Sequence, residues 1–298
     1  MSDLVNIIYF VTIISISYFV FELVYLHGFD LSKATELSSV FSGRNIFGMF
    51  ICLGLSASLY RNFRSNSSTH NYGFSLILFY STILILLGSR SSMISMVIGI
   101  LAFYYYNKSI GKPLLIGAVI TLLLMSVSVL SYDYLSQNIR FLNSNSTADD
   151  SNLIRVVLIM AAVDLFLNNP LLGVGANMFI PKSAIFLEYL NTDGIISVDL
   201  SAGLATHNSY IQYLVELGLI VTIIVILKII KLIFTLIKLR KRSLSKTQRL
   251  ELAFIFAFSL NIITSAAFMN LHSSIIFMFV ILVAEKMAKQ VYFANNLN

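Results

Sequence analysis

Four polar residues in a row, His207, Asn208, Ser209 and Tyr210, stand directly before a long apolar stretch and form the motif best suited to chemistry in this sequence. An unshifted imidazole has a pKa of about 6.5, so the His207 side chain could take a proton from a hydroxyl at neutral pH. Glu216 follows inside the apolar stretch, at a depth where a carboxylate needs a partner. The motif predicts a general base at His207, supported by Glu216, with Asn208 and Tyr210 near the substrate.

Each of these residues also has a purely structural interpretation. His207 could be a satisfied structural histidine, and Asn208 could either orient the imidazole ring or cap the helix that follows it. For Glu216, a structural ion pair explains its position as well as a role in positioning an acceptor or an arginine. Another histidine, His272, lies in a turn at a similar predicted depth, where it either lines the same cavity or only closes the turn.

Arginines supply the second chemical signal, because a guanidinium group binds phosphate oxygens through two parallel hydrogen bonds. Arg90 lies between small Gly and Ser neighbours at the junction of two apolar runs, and Arg155 lies near the start of a later apolar segment. Both are candidate ligands of a diphosphate, and Arg44 and Arg140 are candidates to line the same site. The alternative is that each arginine pairs with an acidic residue on the same face or with lipid headgroups.

The motifs of several other enzyme classes are missing from the sequence. It has no histidine-rich metal spacing, no Walker loop and no Gly-X-Ser-X-Gly elbow, and its single cysteine excludes a cysteine metal cage. The segment from Gly173 to Gly175 permits a sharp turn and a close backbone approach, but no strand precedes it, so a dinucleotide-binding motif is excluded. The sequence therefore predicts a site that uses neither a metal nor another cofactor.

The composition places these residues in a membrane protein. Of the 298 residues, 57% are hydrophobic and only 11% are charged, and the mean hydropathy is +0.84. A water-soluble fold cannot bury that much apolar surface. The net charge of +6 comes mostly from short loops beside apolar runs, so it indicates membrane topology rather than a nucleic-acid partner.

Apolar runs that can cross about 30 Å of hydrocarbon as helices recur along the whole chain. Eight are predicted, at residues 4–26, 44–60, 72–88, 91–107, 113–132, 209–236, 250–269 and 273–292. We therefore expect an all-α, polytopic helical bundle, with five transmembrane helices in 1–132, a large extracytoplasmic loop in 133–208 and three more helices in 209–298. The apolar stretch near 152–168 contains two charged residues, Arg155 and Asp164, which favour a short interfacial helix there rather than a ninth span.

Basic residues between positions 238 and 249 predict the orientation, because the positive-inside rule places such a cluster in the cytoplasm. When the spans are counted from this cluster, both termini are cytoplasmic and the 133–208 loop faces outward. His207, Arg90 and Arg155 are then all expected on the outer face.

In this order, the motifs resemble the O-antigen ligase and polymerase superfamily of bacterial envelope glycosyltransferases. The matching residues are Ser89–Arg90 at a span junction, Arg155 near the start of an extracytoplasmic helix, the segment from Asn169 to Gly175 with Phe179, and His207–Tyr210 with Glu216 and Gly218. These motifs cover residues 85–220, and the rest of the chain is similar in hydropathy alone. Members commonly have ten or more spans, so eight spans imply a shortened N-terminal half.

The resemblance implies a metal-independent glycosyltransferase at the outer face of the bacterial inner membrane. Its donor and acceptor would be glycans on undecaprenyl diphosphate, with Arg90 and Arg155 binding the diphosphate and His207 acting as base. The first expectation is a polymerase of O-antigen or a similar surface polysaccharide, with membrane lipids and a chain-length regulator as further partners. An O-antigen ligase that transfers glycan to lipid A core is the close alternative, and a lipid-linked sugar transporter or flippase is the alternative from another class.

Overall fold

The regular elements of the structure, a computed structural model, are helices throughout the described part of the chain. That part comprises residues 1–26, 28, 44–65, 70–107, 114–124, 126, 148–192, 208–240, 244–266 and 283–290. The helices are α1 (Ser2–Phe21, followed by a π-helical turn, Glu22–Leu26), α2 (Arg44–Arg64), α3 (His70–Leu86), α4 (Arg90–Tyr106), α5 (Leu114–Leu124), α6 (Ala148–Asn168), α7 (Phe179–Thr192), α8 (Ser209–Arg240), α9 (Lys246–Ala266) and α10 (283–290). The predicted all-α class is confirmed for these ranges.

Four helices of the described part are long and apolar enough to cross a membrane, namely α1 with its π-helical turn, α2, α8 and α9. Shorter apolar helices correspond to α3, α4, α5 and the second half of α6. The chain is an integral membrane protein. The count of eight spans stays a prediction, and most of the predicted span 273–292 lies outside the described residues.

The chain divides into two compact units, each with its own internal packing. The first contains Met1–Tyr134, Leu232–Ser265 and Leu282–Asn298, and the second contains Leu135–Lys231 and Ala266–Ile281. Helices α1 to α5 and α9 therefore belong to the first unit. Helices α6 and α7, with most of α8, belong to the second.

In the first unit, α2 packs against α1, α3 and α4. Helices α1 and α2 approach so closely that a Cβ atom on Gly54 would lie 2.3 Å from Cγ2 of Thr12. Asn261 of α9 donates to the backbone oxygen of Cys52 at 3.3 Å and to Oγ of Ser56 at 3.1 Å, both on α2. Small residues and hydrogen bonds between helices are the contacts that hold membrane helices together, because lipid supplies no hydrophobic drive for helix association.

In the second unit, α6 packs against α7. The core consists of Val157, Leu158, Ala162, Phe179 and Val215, contributed by α6, α7 and α8. Helix α6 covers the stretch in which the sequence predicts an interfacial helix, and it begins at Ala148. Its other face is apolar and exposed, with Val156, Met160 and Val163 among its residues. This apolar face is compatible with a position at the membrane surface, which stays a prediction.

Candidate functional site

Helix α8 begins with a side-chain cap. The Oδ1 atom of Asn208 accepts hydrogen bonds from the backbone N–H groups of Tyr210 at 3.0 Å and Ile211 at 3.2 Å. These N–H groups have no partner within the helix, so the asparagine stabilises its start. Of the two roles predicted for Asn208, the structure shows the cap. The cap fixes the start of the helix immediately after His207, which itself lies outside the described residues.

A buried polar face runs along the first two turns of α8. It consists of Ser209, Gln212, Tyr213 and Glu216, which recur at the three- and four-residue spacing of one helical face. Burying polar groups costs free energy unless they are hydrogen-bonded, and the cost is larger at membrane depth. The face therefore requires specific partners, and it marks this part of the helix as a candidate site.

Glu216 finds its partners on two different helices. Its Oε1 atom accepts a hydrogen bond from Nε2 of Gln212, one turn earlier on α8, at 2.9 Å. The same atom accepts one from the backbone N–H of Phe179, the first residue of α7, at 3.3 Å. A carboxylate at the N-terminus of a helix is favourable, because the free N–H groups there carry partial positive charge. Among the side chains that the structure describes, none forms an ion pair with Glu216, so the ion-pair alternative finds no support in them.

The regular helix is interrupted two residues later. Gly218 has φ 72° and ψ 177°, which are not helical, and the loop between α6 and α7 supplies hydrogen-bond partners at this break. Leu219 N–H donates to the oxygen of Pro170 at 2.9 Å, and Ile220 N–H donates to that of Leu171 at 3.4 Å. The predicted span at 209–236 therefore contains a break at Gly218, where the α6–α7 loop supplies the partners of the backbone.

The loop also donates to the carbonyl groups that precede the break. Val174 N–H donates to the oxygen of Val215 at 2.8 Å, and Gly175 N–H donates to that of Glu216 at 2.9 Å. In a regular helix these two oxygens would accept from residues 219 and 220. The broken helix therefore keeps partners for its backbone polar groups, as burial of backbone requires. We call this set of four backbone hydrogen bonds between 170–175 and 215–220 the interlock.

The interlock depends on two glycines in contact. Both have positive φ, 71° at Gly173 and 72° at Gly218. A Cβ atom on Gly218 would lie 2.3 Å from the oxygen of Leu171, and one on Gly173 would lie 2.5 Å from the backbone of Glu216. Any other residue at either position would separate the two backbones, which explains the glycine pattern that the sequence shows.

In the other unit, Arg90 is the first residue of α4 and Arg44 is the first residue of α2. The residues next to them in the sequence, Ser89 and Asn45, are in contact, because Oγ of Ser89 donates to Oδ1 of Asn45 at 3.2 Å. The N-terminal ends of the two helices therefore lie together. Each end carries partial positive charge, and an anion is favoured beside it.

The structure brings only some of the predicted site residues together. Asn208, Tyr210 and Glu216 lie on the first two turns of α8, in the unit whose α6 also carries the backbone of Arg155. Arg140, His207 and His272 lie outside the described residues, and so do the side chains of Arg44, Arg90 and Arg155. In the described part of the chain, no group of three or more His, Cys, Asp or Glu side chains could hold a metal ion.

The sequence-based prediction includes neither of the two hydrogen-bond partners of Glu216. Gln212 could be identified from the sequence, because a residue four positions before a glutamate lies on the same helical face. The backbone N–H of Phe179 could not be identified, because every residue type except proline has such a group. Glu216 is thus part of the interlocked structure and does not stand alone beside His207 in the chain.

Comparison with known proteins identifies the family. A family model described as O-antigen ligase matches residues 74–226, which is more than half of the chain. No curated protein and no solved structure matches the chain. The matched region contains most of α3, helices α4 to α7, the interlock and the polar face of α8. The chain therefore belongs to the O-antigen ligase family.

Proposed function

We propose that this protein is a membrane glycosyltransferase that polymerises oligosaccharide repeat units carried on undecaprenyl diphosphate into O-antigen or a similar surface polysaccharide. The family match carries the proposal, because residues 74–226 include His207, Arg90 and Arg155. The arrangement at the start of α8 supports it, since a capped helix end and a buried polar face follow His207 directly.

In the proposed reaction, His207 is the general base. Its neutral imidazole takes the proton of an acceptor sugar hydroxyl, and the oxygen attacks the anomeric carbon of the donor glycan. The bond between this carbon and the diphosphate oxygen breaks, and undecaprenyl diphosphate leaves with the bonding electron pair. One base suffices, because the nucleophile loses a single proton and the leaving group departs as an anion.

Arg90 and Arg155 are proposed to bind the diphosphate. Negative charge grows on the leaving group as the glycosidic bond breaks, so a guanidinium group on the diphosphate stabilises the transition state more than the ground state. For Arg90, the paired N-terminal ends of α2 and α4 add a favourable field for an anion. Arg44 at the neighbouring helix end is a candidate to assist.

The proposed orientation places the reaction at the outer face of the bacterial inner membrane, with both termini in the cytoplasm. A glycan polymer is too hydrophilic to enter lipid, so its extension requires a site at an aqueous edge. Labelling of single cysteines with a membrane-impermeant maleimide in intact spheroplasts tests this, in a Cys52→Ser background. A cysteine at position 146 is expected to react, and one at position 244 is not. The reverse pattern would contradict the orientation.

A glycosyltransferase and a transporter differ in their need for a sealed membrane, which only the transporter requires. Purified protein in detergent, supplied with lipid-linked repeat units alone, is expected to form a ladder of longer lipid-linked products. A transporter or flippase would form no such products, and would act only in sealed vesicles.

The lipopolysaccharide of a deletion strain distinguishes the two family activities. Loss of a polymerase leaves bands with a single repeat unit on the core. Loss of a ligase leaves bare core together with accumulated lipid-linked polymer. We expect the single-unit bands, and bare core with accumulated polymer would reassign the protein as the ligase.

A further inference from the structure

We infer that Glu216 is a positioning residue of this site, which locks the start of α7 and the α6–α7 loop onto the first two turns of α8. The inference rests on the proposed function for its catalytic consequence. It concerns a role through other residues, because Glu216 binds the start of α7, the preceding turn of α8 and the α6–α7 loop.

The side chain of Glu216 is held in one orientation. Glu216 is only 3% exposed, and its Oε1 atom accepts two hydrogen bonds from N–H donors. The two donors lie on different helices, so the side chain bridges the start of α7 and the first turns of α8. The geometry therefore favours a fixed anchor.

Three segments of the chain meet at Glu216. The side chain binds the N-terminus of α7 through Phe179 and the preceding turn of α8 through Gln212. The backbone oxygen binds the loop through Gly175 N–H at 2.9 Å. Glu216 thus adds a side-chain tie to the backbone interlock, directly beside Gly218. Removal of the carboxylate would free the start of α7 while most of the interlock remained.

The first turns of α8 connect Glu216 to His207 along the chain. Asn208 caps α8 eight residues before Glu216, which corresponds to about 12 Å along the helix. The chain passes directly from His207 into this capped end. A displacement of about 1 Å in a reacting group can lower the rate by about 10²-fold. Any loosening at Glu216 is therefore expected to reduce the chemical step by moving the start of the helix.

The test compares two substitutions in purified protein that elutes as a single species in detergent. Glu216→Gln keeps the size and an acceptor oxygen for Phe179 N–H. Its new amide can also donate to Oε1 of Gln212, which has no hydrogen-bond partner among the described residues. We expect kcat within about threefold of wild type, with the same pH profile. Glu216→Ala removes the anchor, and we expect kcat about 10- to 100-fold lower, with KM for the lipid-linked repeat unit changed by less than about threefold.

Gln212→Met is the matched control. It keeps the length of the side chain and removes one of the two donors to the carboxylate, so the Phe179 contact remains. An intermediate loss of kcat, about three- to tenfold, is expected. Equal and severe losses in Glu216→Gln and Glu216→Ala, or a shifted pH profile in Glu216→Gln, would overturn the inference in favour of proton transfer. Wild-type kcat in Glu216→Ala would overturn it as well.

A readout that needs no substrate keeps the inference distinct from the proposed function. Hydrogen–deuterium exchange is expected to rise in peptides covering 170–180 and 208–216 in Glu216→Ala, and to stay at the wild-type level in Glu216→Gln. If the wild-type protein transfers no glycan, the proposed function fails, and the exchange pattern still decides the structural lock. Unchanged exchange in Glu216→Ala would refute the lock.

Discussion

The two parts of α8 on either side of Gly218 differ in what they bury. Before the glycine, the helix buries a polar face and contacts α6, α7 and their loop through side chains and backbone. After it, large apolar side chains such as Leu219, Ile223 and Leu227 are exposed along the helix, in the manner of a lipid-facing span. Helix α8 therefore combines a site-forming segment before Gly218 with a lipid-facing segment after it, although both segments contain many apolar residues.

The difference shows how a membrane protein holds a non-helical backbone. The segment after the glycine satisfies its polar backbone groups as an ordinary helix, as a span must. The break itself needs an external partner, and residues 170–175 provide it with four hydrogen bonds. We therefore expect substitutions in the site-forming segment to have larger effects than substitutions in the lipid-facing segment.

The largest effect is expected from Gly218→Ala, because it removes the boundary between the two segments. The new Cβ atom would lie 2.3 Å from the oxygen of Leu171, and the backbone would keep a positive φ. We expect a destabilisation of about 4 kcal/mol or more, seen as a lower thermal unfolding midpoint and a loss of monodisperse protein. Gly175→Ala is the control for the φ strain alone, since Gly175 also has a positive φ, 105°, but its Cβ would meet only the Met178 side chain, at 3.3 Å, so we expect a smaller destabilisation. An equal effect of both substitutions would contradict the interlock.

The arginines test whether the diphosphate is bound as proposed. We expect Arg155→Ala and Arg90→Ala each to lower kcat/KM by about 10²- to 10³-fold, because each removes charge stabilisation from the leaving group. Lysine keeps the charge and loses the two-pronged geometry, so both lysine variants should retain more activity than the alanine variants. Arg249→Ala, at an exposed position on α9, is the control and should transfer glycan at the wild-type rate. Full activity of either alanine variant would remove that arginine from the proposed site.

Loss of the side-chain cap at the start of the site-forming segment is expected to destabilise the protein by a smaller amount. Asn208→Ala should destabilise the protein by about 1 kcal/mol, because Tyr210 and Ile211 lose the acceptor of their N–H groups. Asn208→Ser should retain most of the stability, since a serine oxygen can also cap a helix. Thermal unfolding in detergent measures both variants. If serine is no better than alanine, the amide has another role than the cap.

The smallest effect is expected in the lipid-facing segment. Leu227 is 58% exposed, so Leu227→Ala should change stability by less than about 0.5 kcal/mol. Val215, on the other side of Gly218, is 1% exposed and packs in the core with Phe179. Val215→Ala should cost about 2 kcal/mol, because it leaves a cavity. Equal free energies of unfolding for Leu227→Ala and Val215→Ala would contradict the proposed difference between the two segments.

Several features of this site are predictable from the sequence for identifiable physical reasons. Hydropathy indicates helices over α1, α2, α8 and α9, because each is long and apolar. The order of His207 and Asn208 before an apolar run indicates a capped helix start, and the structure contains that cap. The glycines at 173 and 175 indicate a close backbone approach, and the first of them makes one.

The pairing of the loop with the break in α8 is not predictable in the same way. The bonded residues of 170–175 and 215–220 are 41 to 49 positions apart, and their four hydrogen bonds join backbone atoms, which every sequence has. Gly218 in an apolar run signals a special backbone position without naming its partner. The sequence alone does not decide between an ion pair and support of the site for Glu216, because its second donor is the backbone of Phe179.

The most direct test of the account is the rate of glycan transfer by the purified protein and by His207→Ala, measured in detergent with lipid-linked repeat units. We expect product ladders from the wild type and a loss of about 10²- to 10⁴-fold in His207→Ala. The wild-type rate is expected to fall at acidic pH, because a protonated imidazole ring cannot accept a proton. A wild-type rate in folded His207→Ala protein would contradict the proposed role of His207 as general base.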